Sequence, residues 1–458
     1  MGSLQVEISG KDGMVNSVAP GQRGTLLYIT AFLFVLNLLS AALFIGVVKR
    51  PVYDDGYNIY DVHNYLELGF SRATLLSQRN TPGPTSFVWM AAAARMTGGD
   101  ELRGARIGAL CSWLLLGIAV LLGAPFSQEP ELWYGALLVS LIFPHAVETA
   151  ATVLTEGPAL FFAVVGAFAW TAFVSRSDLK ASSWIYGMLG CLSMGLAVTC
   201  RQYYLALLPA AALLAGAQFR TRMWNAAEKW RWASGAVLSL VLSAVPVLLL
   251  ILTWKGIANP SIESGASYNM TYKASAGLNL MRPVIAALCV GIYLVPLTFP
   301  LMRQVKPSQR WRMLAIAVVG GVAAGHWTES LLQPGPLNTI VNVASRVFHS
   351  REFPFGLIAA VAIYNAVALG LAIWEERARI PSSPLVAFAL LTTLLFIAEQ
   401  IGVGGNIPFY DRYVLEVAPF LGVIAFALLP SLDKARLFAF ATLSFFSHVM
   451  LWRYAFNI

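Results

Sequence analysis

Long apolar runs, broken at short intervals by polar and basic residues, dominate the pattern of this chain. A stretch of about 20 mainly apolar residues is long enough to cross a bilayer as a helix. The pattern therefore predicts an all-α protein, a polytopic membrane helical bundle with about 11–13 transmembrane helices. The apolar runs cover 25–48, 104–124, 133–147, 152–174, 183–199, 203–219, 233–254, 283–302, 313–332, 354–374, 384–402, 413–430 and 437–451.

The composition agrees with a membrane protein. Of the 458 residues, 58% are hydrophobic and 12% are charged, and the mean hydropathy is +0.67. Soluble globular proteins carry about 25% charged residues, so that class is excluded. The net charge of +8 reflects Lys and Arg in the connections between runs, and no nucleic-acid partner is indicated. The four scattered cysteines lack metal-ligand spacing, which favours small buried side chains over disulfides or a metal site.

The basic residues predict an orientation. Fourteen Lys and Arg residues lie in the connections 175–182, 220–232, 303–312, 375–379 and 431–436. The positive-inside rule makes these connections cytoplasmic. The other connections, including 49–103, then face the periplasm or an organelle lumen. We expect a multi-pass protein of a bacterial inner membrane with its site toward the periplasm, or of the endoplasmic reticulum with its site toward the lumen if the chain is eukaryotic.

The expected domain organisation is simple. Residues 1–24 are polar and contain Gly and Ser, which predicts a disordered cytoplasmic tail. Residues 25–458 show no repeat, low-complexity segment or soluble domain, so we expect one transmembrane domain. Its first outer loop covers residues 49–103.

That loop opens with two adjacent acids, Asp54 and Asp55, within RPVYDDGYNIYDVHNYLE. Asp54, Asn58 and Asp61 share one face of a helix, and tyrosines form another, which predicts an amphipathic helix along the outer surface. Neighbouring carboxylates repel, and burial raises the pKa of at least one. Such a carboxylate suits a general base, so Asp54 and Asp55 are candidate catalytic residues. Helix capping is the alternative interpretation.

Further ionisable and polar residues gather on the predicted outer side. Burying any of them in lipid is costly, which favours a site, although snorkelling to the interface is the alternative for each one. Guanidinium groups suit an anionic phosphate. The candidate phosphate-binding residues are Arg201, Arg412, Arg346 and Arg351. The candidate contacts to a sugar or acceptor are Tyr57, Asn58, His145, Glu148, Glu156, Gln202 and His326.

Several common motifs are missing from the chain. It contains no P-loop and no GxSxG or HExxH pattern, and no GxGxxG opens a soluble helix. An activated donor used at the outer face would therefore be lipid-borne. His145 and Glu148 are three residues apart, but two ligands are weak evidence for a metal. We expect no required cofactor or metal, and a divalent metal stays an open alternative.

The polar stretches, taken in order, resemble the GT-C superfamily of polytopic glycosyltransferases. They are most similar to the dolichyl-phosphate-glucose alpha-1,2-glucosyltransferase family, which adds the terminal glucose of the lipid-linked oligosaccharide. YDDGYN and NTPG stand where that family has Met-Asp-Glu and a Thr-Pro-Pro-Gly turn. The other matches are LRGARIG (102–108), FP (143–144), LTEG (154–157), Arg201-Gln202 and Arg412-Tyr413. Asn58 stands where the family has His, and Gly83 follows one proline rather than two.

The resemblance implies an inverting hexosyltransferase. Its donor would be a polyprenyl-phosphate sugar, with glucose expected, and its acceptor a hydroxyl of a lipid-linked glycan or glycolipid. Asp54 would be the base and Asp55 would position it or the sugar. Transfer of another sugar, such as mannose, arabinose or an amino sugar, is an alternative, as are a lipid or solute transporter and a noncatalytic assembly subunit.

Overall fold

In the computed structural model, the apolar runs fold as helices. The structure describes residues 20–80, 83–176, 181–221, 225–256, 278–328, 336–402 and 411–456. These residues contain helices and connections and no strand. Of the expected disordered tail, residues 1–19 lie outside the described residues, and residues 20–24 belong to the first helix, which begins at Pro20. Thr81 and Pro82 of the predicted turn also lie outside them.

Eleven described α-helices lie between residues 20 and 254. They are α1 (Pro20–Val47), α2 (Asp55–Leu68), α3 (Arg72–Ser77), α4 (Pro84–Thr97), α5 (Glu101–Gly123), α6 (Pro130–Ile142), α7 (Ala146–Ala151), α8 (Glu156–Ser175), α9 (Ala181–Cys200), α10 (Leu207–Thr221) and α11 (Ala226–Trp254). Short 3₁₀ segments cover Ala124–Phe126 and Gln202–Ala206.

Eight further described α-helices complete the chain. They are α12 (Met281–Thr298), α13 (Pro300–Gln304), α14 (Pro307–His326), α15 (Pro336–Phe348), α16 (Glu352–Glu375), α17 (Pro384–Glu399), α18 (Ala418–Leu428) and α19 (Lys434–Phe456). The 3₁₀ segments here are Ile380–Ser382 and Asp411–Glu416.

Among the described residues, eight helices are long and apolar enough to cross a membrane. They are Arg23–Val47, Glu101–Phe126, Glu156–Ser175, Ser183–Cys200, Ala226–Trp254, Met281–Thr298, Glu352–Glu375 and Lys434–Phe456. Three shorter apolar helices, α6, α17 and α18, bring the number of apolar helices to eleven. The predicted all-α polytopic membrane fold is confirmed.

α6 shows why an apolar run need not be a long span. The sequence predicted a run over 133–147, but the helix ends at Ile142 because Phe143 precedes Pro144 and is extended. All 13 of its residues are buried. α18 packs against it so closely that a Cβ on Gly422 would lie 2.5 Å from the Gly135 carbonyl oxygen. α6 is therefore an internal helix, a common role for apolar runs of this length.

Local sequence signals fix the starts of the helices that support the site. Asp100 caps α5 by accepting from the backbone N–H groups of Leu102 and Arg103. Pro84 begins α4, where its missing N–H costs nothing. The predicted helix in the first loop is present as α2. Its polar face turns inward, since Asp55, Asn58 and Asp61 are all buried.

Candidate active site

The candidate site forms where several chain segments end or begin at one end of the bundle. Asp54 lies between α1 and α2, and Glu156 is the first residue of α8. Arg201 directly follows α9, and Arg412 belongs to the segment Asp411–Glu416. α8 and α9 pack side by side, which places the start of one beside the end of the other. Residues far apart in the sequence therefore meet here.

Two arginines converge on one buried carboxylate. Arg412 Nε lies 3.6 Å from Glu156 Oε1, and Arg201 Nη2 lies 3.4 Å from the same oxygen. Arg201 also donates through Nε to Glu416 Oε1 at 3.1 Å. Arg412 Nη1 donates to Asp54 Oδ2 at 2.8 Å. The result is a continuous chain of charges from Asp54 to Glu416.

This charge cluster has unused hydrogen-bonding capacity. Within the described part of the chain, both carboxylate oxygens of Glu156, Nη2 of Arg201 and Oε2 of Glu416 are buried without a hydrogen-bond partner. Buried polar atoms are usually paired, so a group of unpaired ones calls for an explanation. Asp54 differs from its neighbours because 33% of its side chain is exposed. The cluster thus combines buried polar atoms with one accessible carboxylate.

The electrostatics keep both arginines charged. Burial lowers the pKa of Arg201 and Arg412, but neighbouring acids, Glu156 foremost, outweigh burial and leave both pKa values raised. Glu416 behaves differently. Burial raises its pKa to about 7, although Arg201 opposes the rise. Glu416 therefore titrates near neutral pH while the guanidinium groups keep their charge.

Tyrosine rings line the two guanidinium groups. The ring of Tyr413 lies 5.1 Å from the guanidinium carbon of Arg201 and 5.6 Å from that of Arg412. The ring of Tyr53 lies 4.9 Å from Arg412 on another side. Tyr53 has a φ of 51°, which is uncommon outside glycine. This backbone conformation immediately precedes Asp54, at the point where the chain turns into α2.

Asp55 faces away from Asp54 and into the protein. Its carboxylate pairs with Arg106 of α5 and accepts from the backbone N–H groups of Val52 and Val153. Burial raises its pKa, while Arg106 and the two N–H groups oppose the rise. Asp55 is fully buried. These contacts join three parts of the chain, which favours a positioning role for Asp55.

Other polar residues of the first loop also hold the backbone in place. Asn58 Nδ2 donates to the Val153 carbonyl oxygen at 2.6 Å. Asp61 accepts from the backbone N–H groups of Arg79 and Asn80, which fixes the start of the NTPG stretch. The Tyr57 carbonyl oxygen accepts from Asn80 Nδ2, while the Tyr57 residue is 72% exposed.

Gly83 brings the NTPG stretch against the end of α9. Its N–H donates to the Cys200 carbonyl oxygen at 3.0 Å. A Cβ at this position would lie 1.9 Å from the Thr199 carbonyl oxygen. Only glycine allows this approach, which lies directly beside Arg201.

His145 and Glu148 form a second polar group next to the cluster. His145 Nδ1 lies 2.6 Å from Glu148 Oε2, and Tyr454 of α19 donates to Glu148 Oε1 at 2.8 Å. Burial raises the pKa of Glu148, but His145 outweighs it and the pKa is lowered. The Tyr454 ring lies 6.0 Å from the Tyr53 ring. Tyr53 therefore separates this group from Arg412.

The remaining predicted residues are distributed differently. Gln202 follows Arg201 as the first residue of a 3₁₀ segment. Arg351 Nη2 donates to Asn338 Oδ1 at 2.9 Å, and Arg346 is exposed on α15. His326 lines a groove of about 500 Å³ between α14 and α16. The structure thus brings four of the predicted residues into one cluster, namely Asp54, Glu156, Arg201 and Arg412. Three others lie outside this cluster, namely Arg346, Arg351 and His326.

Sequence reasoning missed several residues of the site. Arg106 lies inside the quoted LRGARIG stretch, and its place within an apolar run was a usable signal. Glu416 belongs to the same 3₁₀ segment as Arg412, but its partner Arg201 is 215 residues away, so no local spacing indicated the contact. The other missed residues are Tyr53, Thr155, Tyr413, Arg453 and Tyr454.

Comparisons with known proteins gave only distant structural likenesses. No protein-family model and no curated protein matches the chain. An oligosaccharyltransferase of Archaeoglobus fulgidus in the apo form is 14% identical with a TM-score of 0.40, covering 84% of this chain and 57% of that one. ArnT from Cupriavidus metallidurans bound to undecaprenyl phosphate is 14% identical with a TM-score of 0.39. The match covers 93% of this chain and 78% of the ArnT chain.

The archaeal oligosaccharyltransferase AglB from Archaeoglobus fulgidus, in complex with an inhibitory peptide and a dolichol-phosphate, has a TM-score of 0.35 at 14% identity. The match covers 82% of this chain and 56% of the AglB chain. The chain thus spans little more than half of the oligosaccharyltransferase chains it resembles. With TM-scores below 0.5, these likenesses establish neither the fold nor the activity of this chain.

Proposed function

We propose that this protein is an integral membrane glycosyltransferase that uses a polyprenyl-phosphate sugar. It transfers the sugar, glucose as the first candidate, to a hydroxyl of a lipid-linked glycan or another glycolipid with inversion at the anomeric carbon. The site faces the periplasm of a bacterial inner membrane, or the lumen of the endoplasmic reticulum in a eukaryote. The observation that carries the proposal is the hydrogen bond between the half-buried Asp54 and Arg412, beside a second arginine.

Arg201 and Arg412 are the proposed donor phosphate site. Both guanidinium groups are buried, both remain charged, and they approach one shared carboxylate oxygen of Glu156. A phosphate placed between them would accept from Nη2 of Arg201, which contacts Glu156 at 3.4 Å but has no hydrogen-bond partner. Guanidinium groups bind phosphate through paired hydrogen bonds, and in a water-poor site they stabilise charge that develops on a departing phosphate.

Asp54 is the proposed general base. It is the most accessible carboxylate of the cluster, and Arg412 holds it in the resting arrangement. If Arg412 turns toward the donor phosphate, its hydrogen bond to Asp54 breaks and the Asp54 carboxylate becomes available to the acceptor hydroxyl. Asp55 positions Asp54 through the contact with Arg106, while Glu156 holds the arginines.

The proposed step is one displacement at the anomeric carbon. The acceptor oxygen forms a bond to that carbon as the bond to the phosphate oxygen breaks. The bonding electrons leave with the polyprenyl phosphate, and the proton of the acceptor hydroxyl moves to Asp54. His145 and Glu148 lie one tyrosine ring away from Arg412 and are candidates for hydrogen bonds to sugar hydroxyls.

The test is transfer by the full chain reconstituted in vesicles with polyprenyl-phosphate-glucose and candidate acceptor glycolipids. We expect Asp54→Asn to abolish transfer while donor binding persists. Glu375→Gln is the matched control, because Glu375 is an exposed acid of α16 that pairs with Lys306. Near wild-type turnover by Asp54→Asn would remove Asp54 as the base.

A second measurement addresses the donor site. We expect Arg201→Ala to weaken binding of the donor lipid, and Arg201→Lys to recover part of that loss because it restores the charge without the paired geometry. Unchanged donor binding by Arg201→Ala would place the phosphate elsewhere. Absence of transfer with all polyprenyl-phosphate sugars, together with movement of lipid between leaflets, would favour the transporter alternative.

A further inference from the structure

A group of metal-ligand side chains lies on α2 and α5, away from the charge cluster. His63 Nδ1 is 3.0 Å from Glu101 Oε1 and 3.2 Å from Glu101 Oε2. One ligand atom each from His63, Glu67 and Glu101 lies within 4.8 Å of the others. His63 is nine residues from Asp54, about 13 Å along a helix, so this group is separate from the proposed active site.

The local sequence explains why the three side chains meet. His63 and Glu67 are four residues apart on α2 and so share one face. Glu101 is the first residue of α5, whose start is fixed by the Asp100 cap. α2 is already tied to α5 near its own start, through the ion pair of Asp55 with Arg106. The relative position of α2 and α5 is therefore fixed by contacts other than those among His63, Glu67 and Glu101.

We propose that His63, Glu67 and Glu101 bind a zinc-type divalent cation. One imidazole nitrogen and two carboxylates suit Zn²⁺, whereas Ca²⁺ and Mg²⁺ favour sets of oxygen ligands. Ligands about 2.0–2.2 Å from a tetrahedral zinc lie about 3.3–3.6 Å from one another. His63 and Glu101 are hydrogen-bonded at 3.0 and 3.2 Å, so these two ligands need to move apart by only a few tenths of an ångström to admit the ion.

Three protein ligands leave one position for water, and the partial exposure of His63 and Glu101 gives a metal ion access from solvent. Glu67 is exposed near the end of α2, and its ligand atom lies within 4.8 Å of those of the other two residues. The bound ion would be a second clamp between α2 and α5, beyond the ion pair of Asp55 with Arg106. Its role is to fix α2, the helix that follows Asp54.

Zinc binding is measured by isothermal titration calorimetry on the purified full chain in detergent, without a polyhistidine tag. We expect one equivalent of Zn²⁺ to bind and to raise the midpoint of thermal unfolding. Loss of a residue that merely supports a metal ligand costs about 10–100-fold in metal affinity, so loss of a direct ligand in His63→Asn or Glu101→Gln should cost at least as much. Glu67→Gln should also weaken binding, and its exposed position makes misfolding a poor explanation.

Two control variants complete the design. His349→Asn changes an exposed histidine outside the group and should bind zinc as the wild type does. Asp54→Asn should also bind zinc normally, so the outcome for this site is independent of the outcome for the proposed transfer reaction. No zinc binding by the wild type, or equal affinity in the wild type and His63→Asn, would show that the group is only a surface ion pair.

Discussion

Asp54 and Arg412 lie 358 residues apart in the sequence and are joined by a hydrogen bond of 2.8 Å. Arg412 also approaches Glu156, which itself contacts Arg201. One guanidinium group therefore links the accessible acid of the first loop to the buried charges of the bundle. The proposed function gives this arginine two tasks, restraint of Asp54 and binding of the donor phosphate.

Arg412→Gln should remove both tasks. We expect transfer to fall by about 10²–10³-fold, as is typical when one charge-stabilising group is lost from a catalytic site. The KM for the donor should rise as well, and Arg412→Lys should recover part of the loss. Steady-state transfer assays with varied donor lipid provide the measurement. Unchanged kinetics in Arg412→Gln would exclude Arg412 from both roles.

Asp55→Asn should destabilise the fold by about 3–5 kcal/mol, because it leaves Arg106 as an uncompensated buried charge. The amide also has one acceptor oxygen in place of two, so one of the two backbone N–H groups loses its partner. Thermal unfolding in detergent measures the effect. Adding Arg106→Leu should recover part of the loss, and strictly additive effects of the two changes would contradict a direct ion pair.

Gly83→Ala should destabilise the protein by about 1–3 kcal/mol, since the new methyl group overlaps the Thr199 carbonyl oxygen. Transfer should also fall, because the displaced backbone lies beside Arg201. Gly56→Ala is the matched control. Gly56 lies in α2, and a Cβ added there would meet nothing within 4 Å, so alanine should be neutral or stabilising. Equal stability of the two variants would argue against the close approach at Gly83.

Glu416 should make stability depend on pH. Its pKa is raised by burial from 4.5 to about 7, so between these values the folded protein holds a proton that the unfolded chain releases. This contribution is fully present below about pH 4.5 and is lost as the pH rises through about 7. Unfolding midpoints across this range should fall more steeply for the wild type than for Glu416→Gln. Glu375→Gln should keep the wild-type profile, and identical profiles for all three proteins would refute the raised pKa.

The sequence predicted the class of fold because membrane insertion demands long apolar runs, a signal that is local in the chain. The amphipathic helix after α1 was also predicted, from the spacing of its polar residues. The length of α6 was not, since it depends on burial by α18 and on the break at Phe143. Apolar character alone does not distinguish lipid from protein as the neighbour of a helix.

The candidate site was harder to predict in detail. Topology and charge singled out Asp54, Glu156, Arg201 and Arg412, which the structure brings together. Which of Asp54 and Asp55 is buried and which is accessible depends on which carboxylate faces Arg106. Arg106 is 51 residues from Asp55 in the sequence. Contacts of this kind are determined by how the helices pack, so no periodic pattern of residues in the sequence predicts them.

The position of Arg412 between Asp54 and Glu156 has a kinetic consequence under the proposed function. A base released only when phosphate draws its arginine away is engaged only after the donor lipid has arrived. Binding would then be ordered, with donor first and acceptor second. An acceptor encountering the empty enzyme would find its hydroxyl unactivated, and the free enzyme would turn over nothing in a membrane rich in competing alcohols.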